Sequence, residues 1–143
     1  MGGLSQKEID TLKAQVSPFF REREEILVTY LFGSALREKT FRDLDFAILC
    51  ERTFARSKEA FACELRWAAE LERVLKPRRP VDLRMLNQAP VHFQHEVIRT
   101  GLIIFERDRD ARVLFEMRVL SMYMDYEPWR RFFDEQLLQR LQS

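Results

Sequence analysis

The chain has 143 residues, and its 24 basic and 23 acidic residues leave a formal net charge of +1. A chain of this length is expected to form one domain, and a hydrophobic share of 46% is enough for a packed core, which excludes wholesale disorder. The balanced charge argues against direct nucleic-acid binding through bulk charge, because such domains usually carry a strong basic excess.

Neither a targeting segment nor a membrane span is predicted. The first residues lack a basic region followed by an apolar run, and the longest apolar run, residues 26–32, is far shorter than the ~20 residues of a membrane span. Cys50 and Cys63 lie in apolar stretches without disulfide or zinc spacing, which indicates reduced core thiols. We therefore expect a soluble, cytoplasmic protein.

The first half of the chain predicts a helix, two strands and a second helix, in that order. Ser5 and Glu8 form a capping-box pattern that opens the first helix, which is expected to end before Pro18. Apolar and alternating runs predict strands at residues 26–32 and 43–50. A helical period over residues 56–75 then predicts a crossover helix whose buried stripe is Phe61, Leu65, Ala68, Leu71 and Leu75.

The second half predicts a strand at residues 81–86, a helix at 91–100, a strand at 102–105 and a helical tail. The tail begins near Asp108, carries Val113, Met117, Leu120 and Met124 on one face, and is interrupted at Pro128. The expected fold class is α+β, a small mixed sheet covered by helices on one side. We expect residues 1–143 to form a single domain, with a core at about 1–107 and C-terminal helices at about 108–143.

The segment most informative about function is Leu31-Phe32-Gly33-Ser34, followed after eight residues by Asp43-Leu44-Asp45. A strand that ends in Gly-Ser presents backbone N–H groups and a hydroxyl, which can bind phosphate oxygens. Asp43 and Asp45 project from one face of their strand, and Mg²⁺ prefers such oxygen ligands together with phosphates. The pattern therefore predicts a site for a magnesium-bound nucleoside triphosphate, with ordinary turn chemistry as the alternative.

A third carboxylate, Asp82, stands near the start of the strand at residues 81–86. A crossover helix normally returns the chain to the same sheet, so Asp82 is expected beside Asp43 and Asp45. Three carboxylates can hold two metal ions, one for the attacking hydroxyl and one for the leaving oxygens. A solvated acid on an edge strand is the alternative interpretation.

Taken together, Gly33-Ser34, Asp43-x-Asp45 and Asp82 resemble the signature of the nucleotidyltransferase superfamily related to polymerase β. More closely, the chain is similar to the minimal nucleotidyltransferases (MNT), and within them to MntA-type antitoxins paired with HEPN-domain toxins. The resemblance extends over residues 81–87, 101–108 and the tail around 115–126, and covers nearly the whole chain.

The resemblance implies a polymerase β-like fold and a role for each motif residue. Gly33 and Ser34 would contact the triphosphate, Asp43 and Asp45 would bind Mg²⁺, and Asp82 would complete the metal site and help deprotonate the acceptor hydroxyl. The implied reaction transfers AMP from ATP to a tyrosine of the cognate HEPN ribonuclease toxin and releases pyrophosphate. The implied partner is that toxin, in a hetero-oligomer.

The loop between Ser34 and Asp43 departs from the family pattern. It has eight residues where about ten are usual, it lacks a Gly, and Arg42 precedes Asp43 where a small residue is common. Arg37, Lys39 or Arg42 could add positive charge near the phosphates, and we take Arg42 as a candidate nucleotide-binding residue. Two alternatives stay open: an inactive antitoxin that neutralises the toxin by binding alone, and transfer to a small molecule, for which a second domain would be expected.

Overall fold

The computed structural model describes residues 3–124 and 127–142, and a four-stranded mixed sheet lies at its centre. The strands are β1 (Ile26–Phe32), β2 (Leu44–Cys50), β3 (Val81–Met85) and β4 (Leu102–Glu106). Their order is β3-β2-β1-β4, with β2 parallel to β3 and the other neighbours antiparallel. Each strand begins and ends within one residue of its predicted position. An apolar run marks β1, and apolar residues that alternate with charged ones mark β3.

Helices connect and cover the strands. They are α1 (Gln6–Arg21), α2 (Ser34–Arg37), α3 (Arg52–Ala55), α4 (Ala60–Val74), α5 (Val91–Thr100), α6 (Arg109–Tyr123) and α7 (Glu127–Gln142). The single turns α2 and α3 were not predicted, because four residues are too few to show a helical period. No helix in the described ranges is long and apolar enough to cross a membrane.

The first helix starts as predicted but continues past its proline. The Ser5 hydroxyl accepts from the Glu8 N–H at 3.1 Å, and the Glu8 carboxylate accepts from the Ser5 N–H at 2.9 Å, which confirms the capping box. Pro18 lies inside α1 rather than beyond it. The prediction was wrong because Phe19 and Phe20, in the next positions, are buried in the core, and their burial offsets the one backbone hydrogen bond that the proline removes.

Helices cover both faces of the sheet, which corrects the expected one-sided arrangement. On one face, α1 and α4 pack against a core that includes Phe20, Phe46, Ile48 and Leu71. On the other face, α5 and α6 pack against a second apolar cluster: Val28, Tyr30, Ala47, Leu49, Leu86, Val97, Phe115 and Val119. Successive residues of a buried strand point to opposite faces, so β1 and β2 supply both cores.

Hydrogen bonds and ion pairs connect α6 to the sheet. The Tyr30 hydroxyl donates to the Glu116 carboxylate at 2.6 Å, and Arg112 donates to Glu116 at 3.0 Å and to Glu106 at 2.6 Å. Burial, followed by the hydrogen bond to Glu116, raises the pKa of Tyr30, so its hydroxyl stays protonated as a donor. These bonds join α6 to both β1 and β4.

Only part of the predicted stripe of α4 is buried. Leu71 and Leu75 are buried as predicted, but Phe61 and Leu65 are 70% and 61% exposed, and the other inward side chains are Ala60, Cys63 and Trp67. Trp67 is held by stacking on Phe54 of α3, with ring centroids 5.5 Å apart. Apolar residues occupy more than one face of α4, so the periodicity alone could not select the buried one. Cys50 and Cys63 are buried and free, as expected.

The apolar stripe of α6 that the sequence shows is not the face that the helix buries. Phe115 and Val119 are its buried residues, while Val113, Met117 and Leu120 are exposed. The sheet contacts the side of α6 that carries Phe115, and the more apolar stripe is left in solvent. The aromatic ring of Tyr123 stacks on His95 of α5, which fixes the end of the helix.

Replacing Trp67 with alanine should destabilise the protein by about 3–5 kcal/mol, because it removes a large side chain that is 4% exposed. Replacing Leu65, on the exposed face of the same helix, should change the free energy of unfolding by no more than about 0.5 kcal/mol. Urea denaturation of the two variants measures both. Equal effects would contradict the observed orientation of α4.

Candidate active site

One row of residues across the sheet brings two of the predicted carboxylates together. Asp45 of β2 pairs with Phe32 of β1 on one side and with Asp82 of β3 on the other. Neighbouring strands are roughly 5 Å apart, so the Asp45 and Asp82 side chains stand next to each other on one face. Asp43 is exposed and lies one residue before β2 begins. Asp82 therefore lies where the crossover connection predicted it.

The turn after β1 packs closely against the paired carboxylates of Asp45 and Asp82, which we call the carboxylate row. Gly33 has φ 85° and ψ −153°, a conformation that is essentially restricted to glycine. A Cβ at residue 33 would overlap the Oδ2 atom of Asp45. Glycine therefore allows the backbone to approach the Asp45 carboxylate, and Ser34 follows directly as the first residue of α2.

The charges of the three aspartates act on one another. Burial raises the pKa of Asp45 above its ordinary value, and the negative charges of Asp82 and Asp43 raise it further, whereas Arg37 lowers it. Arg37, in α2, is thus the basic residue of the loop that acts on the site. Arg42 is exposed, and no hydrogen bond or ion pair joins it to the aspartates within the described part of the chain.

The donor set fits magnesium only if the substrate completes the coordination. In the described ranges, no group of three or more His, Cys, Asp or Glu side chains is arranged to hold a metal ion without further ligands. Mg²⁺ is usually held by one or two carboxylates together with phosphate oxygens and water, so the residues here suffice for that type of binding. Burial, and then the charges of Asp82 and Asp43, raise the pKa of Asp45, and such a cation would offset both effects.

Two side chains beside the aspartates were missed from the sequence. Arg84 lies two residues after Asp82 on β3, so it shares the face of the carboxylate row. Its guanidinium lies 4.1 Å from the ring centroid of Phe93 in α5, and Phe93 also contacts Phe32 edge-on at 5.5 Å. The strand period could have identified Arg84. Phe93 could not be found that way, because its position depends on how α5 packs.

The family comparison agrees with this geometry. The family model described as polymerase beta, nucleotidyltransferase matches residues 14–110, a range that includes the Gly33 turn and all three aspartates. Since the match covers well over half of the chain, the protein belongs to the polymerase beta nucleotidyltransferase family. No curated protein sequence matches the chain significantly.

Solved structures extend the likeness to the whole fold. A chain from the complex of a tri-AMPylated Shewanella oneidensis HEPN toxin with its MNT antitoxin matches with a TM-score of 0.64 and 21% identity, over 91% of this chain and 98% of that one. A chain of the toxin–antitoxin MntA-HepT matches with a TM-score of 0.63 and 21% identity, over 90% and 98%. A toxin–antitoxin structure with AMP-PNP gives 0.64 and 22%, over 88% and 98%. At this level of identity, the likeness establishes a shared fold.

Replacing Gly33 with alanine should lower the free energy of unfolding by about 1–3 kcal/mol, since the backbone at residue 33 is unfavourable for any other residue. The new Cβ would also displace the Asp45 carboxylate. Ser34→Ala is the matched control and should stay within about 0.5 kcal/mol of the parent protein in urea denaturation. A stable Gly33→Ala protein would contradict the described conformation of the turn.

Replacing Asp45 with asparagine should raise the Tm at neutral pH. The pKa of Asp45 is higher in the folded than in the unfolded chain, so ionisation of Asp45 destabilises the folded state as the pH rises through the folded value. Asparagine cannot ionise, and its advantage should therefore shrink as the pH falls towards about 4. Asp10→Asn, which removes one exposed charge from α1, is the control; an equal gain from both variants would exclude this explanation.

Proposed function

We propose that the protein is the antitoxin of a HEPN/MNT toxin–antitoxin pair and works as a magnesium-dependent adenylyltransferase. It would transfer AMP from ATP to a tyrosine of the cognate HEPN toxin in the cytoplasm. The observation that carries the proposal is the pairing of Asp45 with Asp82 against the Gly33 turn. The acceptor is inferred to be a protein because the fold is similar over nearly its whole length to a chain from a complex containing an AMPylated toxin.

In this proposal, each part of the site has one task. The backbone at Gly33 and Ser34 binds phosphate oxygens of ATP, while Asp43 and Asp45 hold Mg²⁺ that arrives with the nucleotide, and Asp82 completes the carboxylate set. When bound, the metal neutralises charge on the phosphates and on the leaving group.

Asp82 is assigned the proton transfer. Its carboxylate, next to that of Asp45, accepts the proton from the hydroxyl of the acceptor tyrosine. The tyrosine oxygen then forms a bond to the α-phosphorus of ATP, and the bond from that phosphorus to the bridging oxygen breaks. Pyrophosphate leaves, and the tyrosine carries AMP. General-base assistance of this kind commonly contributes a factor of about 10²–10⁴.

The negative charges of the three aspartates favour binding of a metal-bound nucleotide over binding of a free nucleotide. Three carboxylates crowd one end of the sheet, and a free triphosphate would add its own negative charge to them. Asp43 and Asp45 would hold a divalent cation, whose charge would offset this repulsion. We therefore expect ATP to bind at the aspartates only together with the metal.

The surface of the C-terminal helices supports a protein partner. Large apolar side chains of α6 and α7 are exposed, and exposed apolar surface of this kind commonly marks protein–protein contacts. They are Val113, Leu114, Met117, Leu120, Met122, Tyr123, Phe132, Leu137 and Leu138. We assign toxin binding to these helices, at about residues 108–143, and the transfer reaction to the core at about residues 1–107.

A second candidate function is neutralisation by binding alone. It is favoured by the short loop between Ser34 and Asp43, whose basic residue Arg42 makes no resolved contact with the carboxylates. A pure binding antitoxin with Asp43→Asn should still protect cells from the toxin, whereas an enzymatic antitoxin should lose protection.

Incubation of the protein with ATP, Mg²⁺ and the toxin encoded by the neighbouring gene should add whole AMP masses to the toxin, as seen by intact mass spectrometry. Asp45→Asn should slow the reaction by at least about 100-fold, because it removes a ligand of the metal that stabilises the transition state. Asp10→Asn should react like the parent protein. Failure to form any adduct with Mg²⁺ or Mn²⁺, despite a folded protein and a bound toxin, would exclude the transferase.

A further inference from the structure

A cleft lies at the end of the sheet opposite the aspartates. It measures about 530 Å³ and lies between α6, the ends of β2 and β3, and the turn α3. Its floor is apolar and buried, formed by Leu49, Cys50, Ala55, Phe115 and Val119. Cys50 is five residues from Asp45 along β2, which separates the cleft from the carboxylate row by roughly 17 Å.

Three arginines surround this cleft, and they are Arg52, Arg56 and Arg118. None of their guanidinium groups forms a hydrogen bond or ion pair within the described part of the chain. Elsewhere, by contrast, Arg23, Arg99 and Arg112 each pair with a glutamate. Three unpaired guanidinium groups around one concave surface create a positive potential.

No described acidic residue lines the cleft to cancel this charge. The acid next to Cys50 in the chain is Glu51, and its carboxylate accepts instead from the N–H groups of Thr53 and Phe54, at 2.8 and 2.9 Å. Burial, the largest cause, and the negative charges of Glu25, Glu64 and Glu51 raise the pKa of the Cys50 thiol, so the floor of the cleft is itself uncharged. Because arginines line the cleft and these carboxylates do not, its open surface favours an anion.

Fixed amide groups complete the lining. The Asn87 side chain accepts from the Cys50 N–H and donates to the Cys50 carbonyl, both at 2.9 Å, which holds it rigidly at the edge of the cleft. The buried Gln94 amide donates to the Leu86 carbonyl at 2.7 Å, and Gln88 is exposed at the rim. Rigid amides on an apolar surface are suited to the polar edge of a flat organic group.

We propose that this cleft binds a nucleoside diphosphate or triphosphate, with the guanidinium groups on the phosphates and the nucleoside on the apolar floor beside the amides. Arginine binds phosphate oxygens in a bidentate manner, and three arginines match the two to four negative charges of such a ligand. The volume exceeds what a lone phosphate occupies, and a monocarboxylate would engage only part of the charge. The proposal does not depend on the transferase function.

The aspartate site and the arginine-lined cleft differ in how they neutralise the charge of a phosphate group. Nucleotide binding at one can therefore be measured separately from binding at the other. At the aspartates, a nucleotide needs a divalent cation, whereas in the cleft the positive charge belongs to the protein. Nucleotide binding in the cleft should therefore persist when all divalent metal is removed by EDTA.

The test is titration of the full-length protein with ADP in EDTA, followed by calorimetry and by NMR of the Met122 methyl group at the rim. Saturable binding is expected, with a shift of the Met122 signal. Arg118→Glu and the milder Arg118→Gln should each weaken the affinity, by at least about 10-fold for the glutamate. Arg73→Glu, an exposed arginine of α4 outside the cleft, is the charge-matched control and should bind within 2-fold of the parent protein.

Several outcomes would overturn the proposal. One is the absence of saturable ADP binding in EDTA. Another is loss of binding in Asp45→Asn but not in either Arg118 variant, which would place the nucleotide at the aspartates. If tripolyphosphate binds as tightly as ADP and does not shift Met122, the cleft selects phosphate charge alone and the nucleoside contact is wrong.

Discussion

The parallel pairing of β2 with β3 is the constraint on which the rest of the molecule depends. Parallel neighbours cannot be joined by a tight turn, so the chain must cross over through α3 and α4 before it returns to the sheet. Once it returns, the register places Asp82 beside Asp45. Helix α4 also protects the outer edge of β3, because Glu72 accepts from the Val81 N–H and Glu64 from the Met85 N–H, at 3.0 and 3.2 Å. One crossover thus builds a core, covers an edge and assembles the carboxylate row.

The carboxylate row is itself unfavourable for the folded state. Asp45 is partly desolvated and repelled by Asp82 and Asp43, and the adjacent backbone at Gly33 adopts a conformation that other residues avoid. Both features persist because the strands that carry them are anchored in two apolar clusters, one on each face of the sheet. A stable scaffold therefore holds side chains in an arrangement that a bound cation would relieve.

The small net charge hides an uneven distribution of charge. The aspartates, with Arg37 and Arg84 near them, stand at the end of the sheet where β2 and β3 begin, and the arginine-lined cleft lies where the same strands end. Balanced composition correctly argues against a uniformly basic surface, but it says nothing about such a division. The exposed apolar side chains of α6 and α7 add a third feature, and two of them, Leu114 and Met122, also line the cleft.

The sequence by itself determined the strands, the carboxylate row and the family resemblance. Strand signals are local: alternation with a period of two places Asp45 opposite Phe46 whatever surrounds them, and the crossover rule then brings Asp82 alongside. Only the tertiary structure decided which side of each helix is buried, that helices cover both faces, that α1 continues through Pro18, and that three arginines distant in sequence meet around one cleft. The physical reason is that α4 and α6 carry apolar residues on more than one side, so the partner surface, rather than the helical period, selects the face that packs.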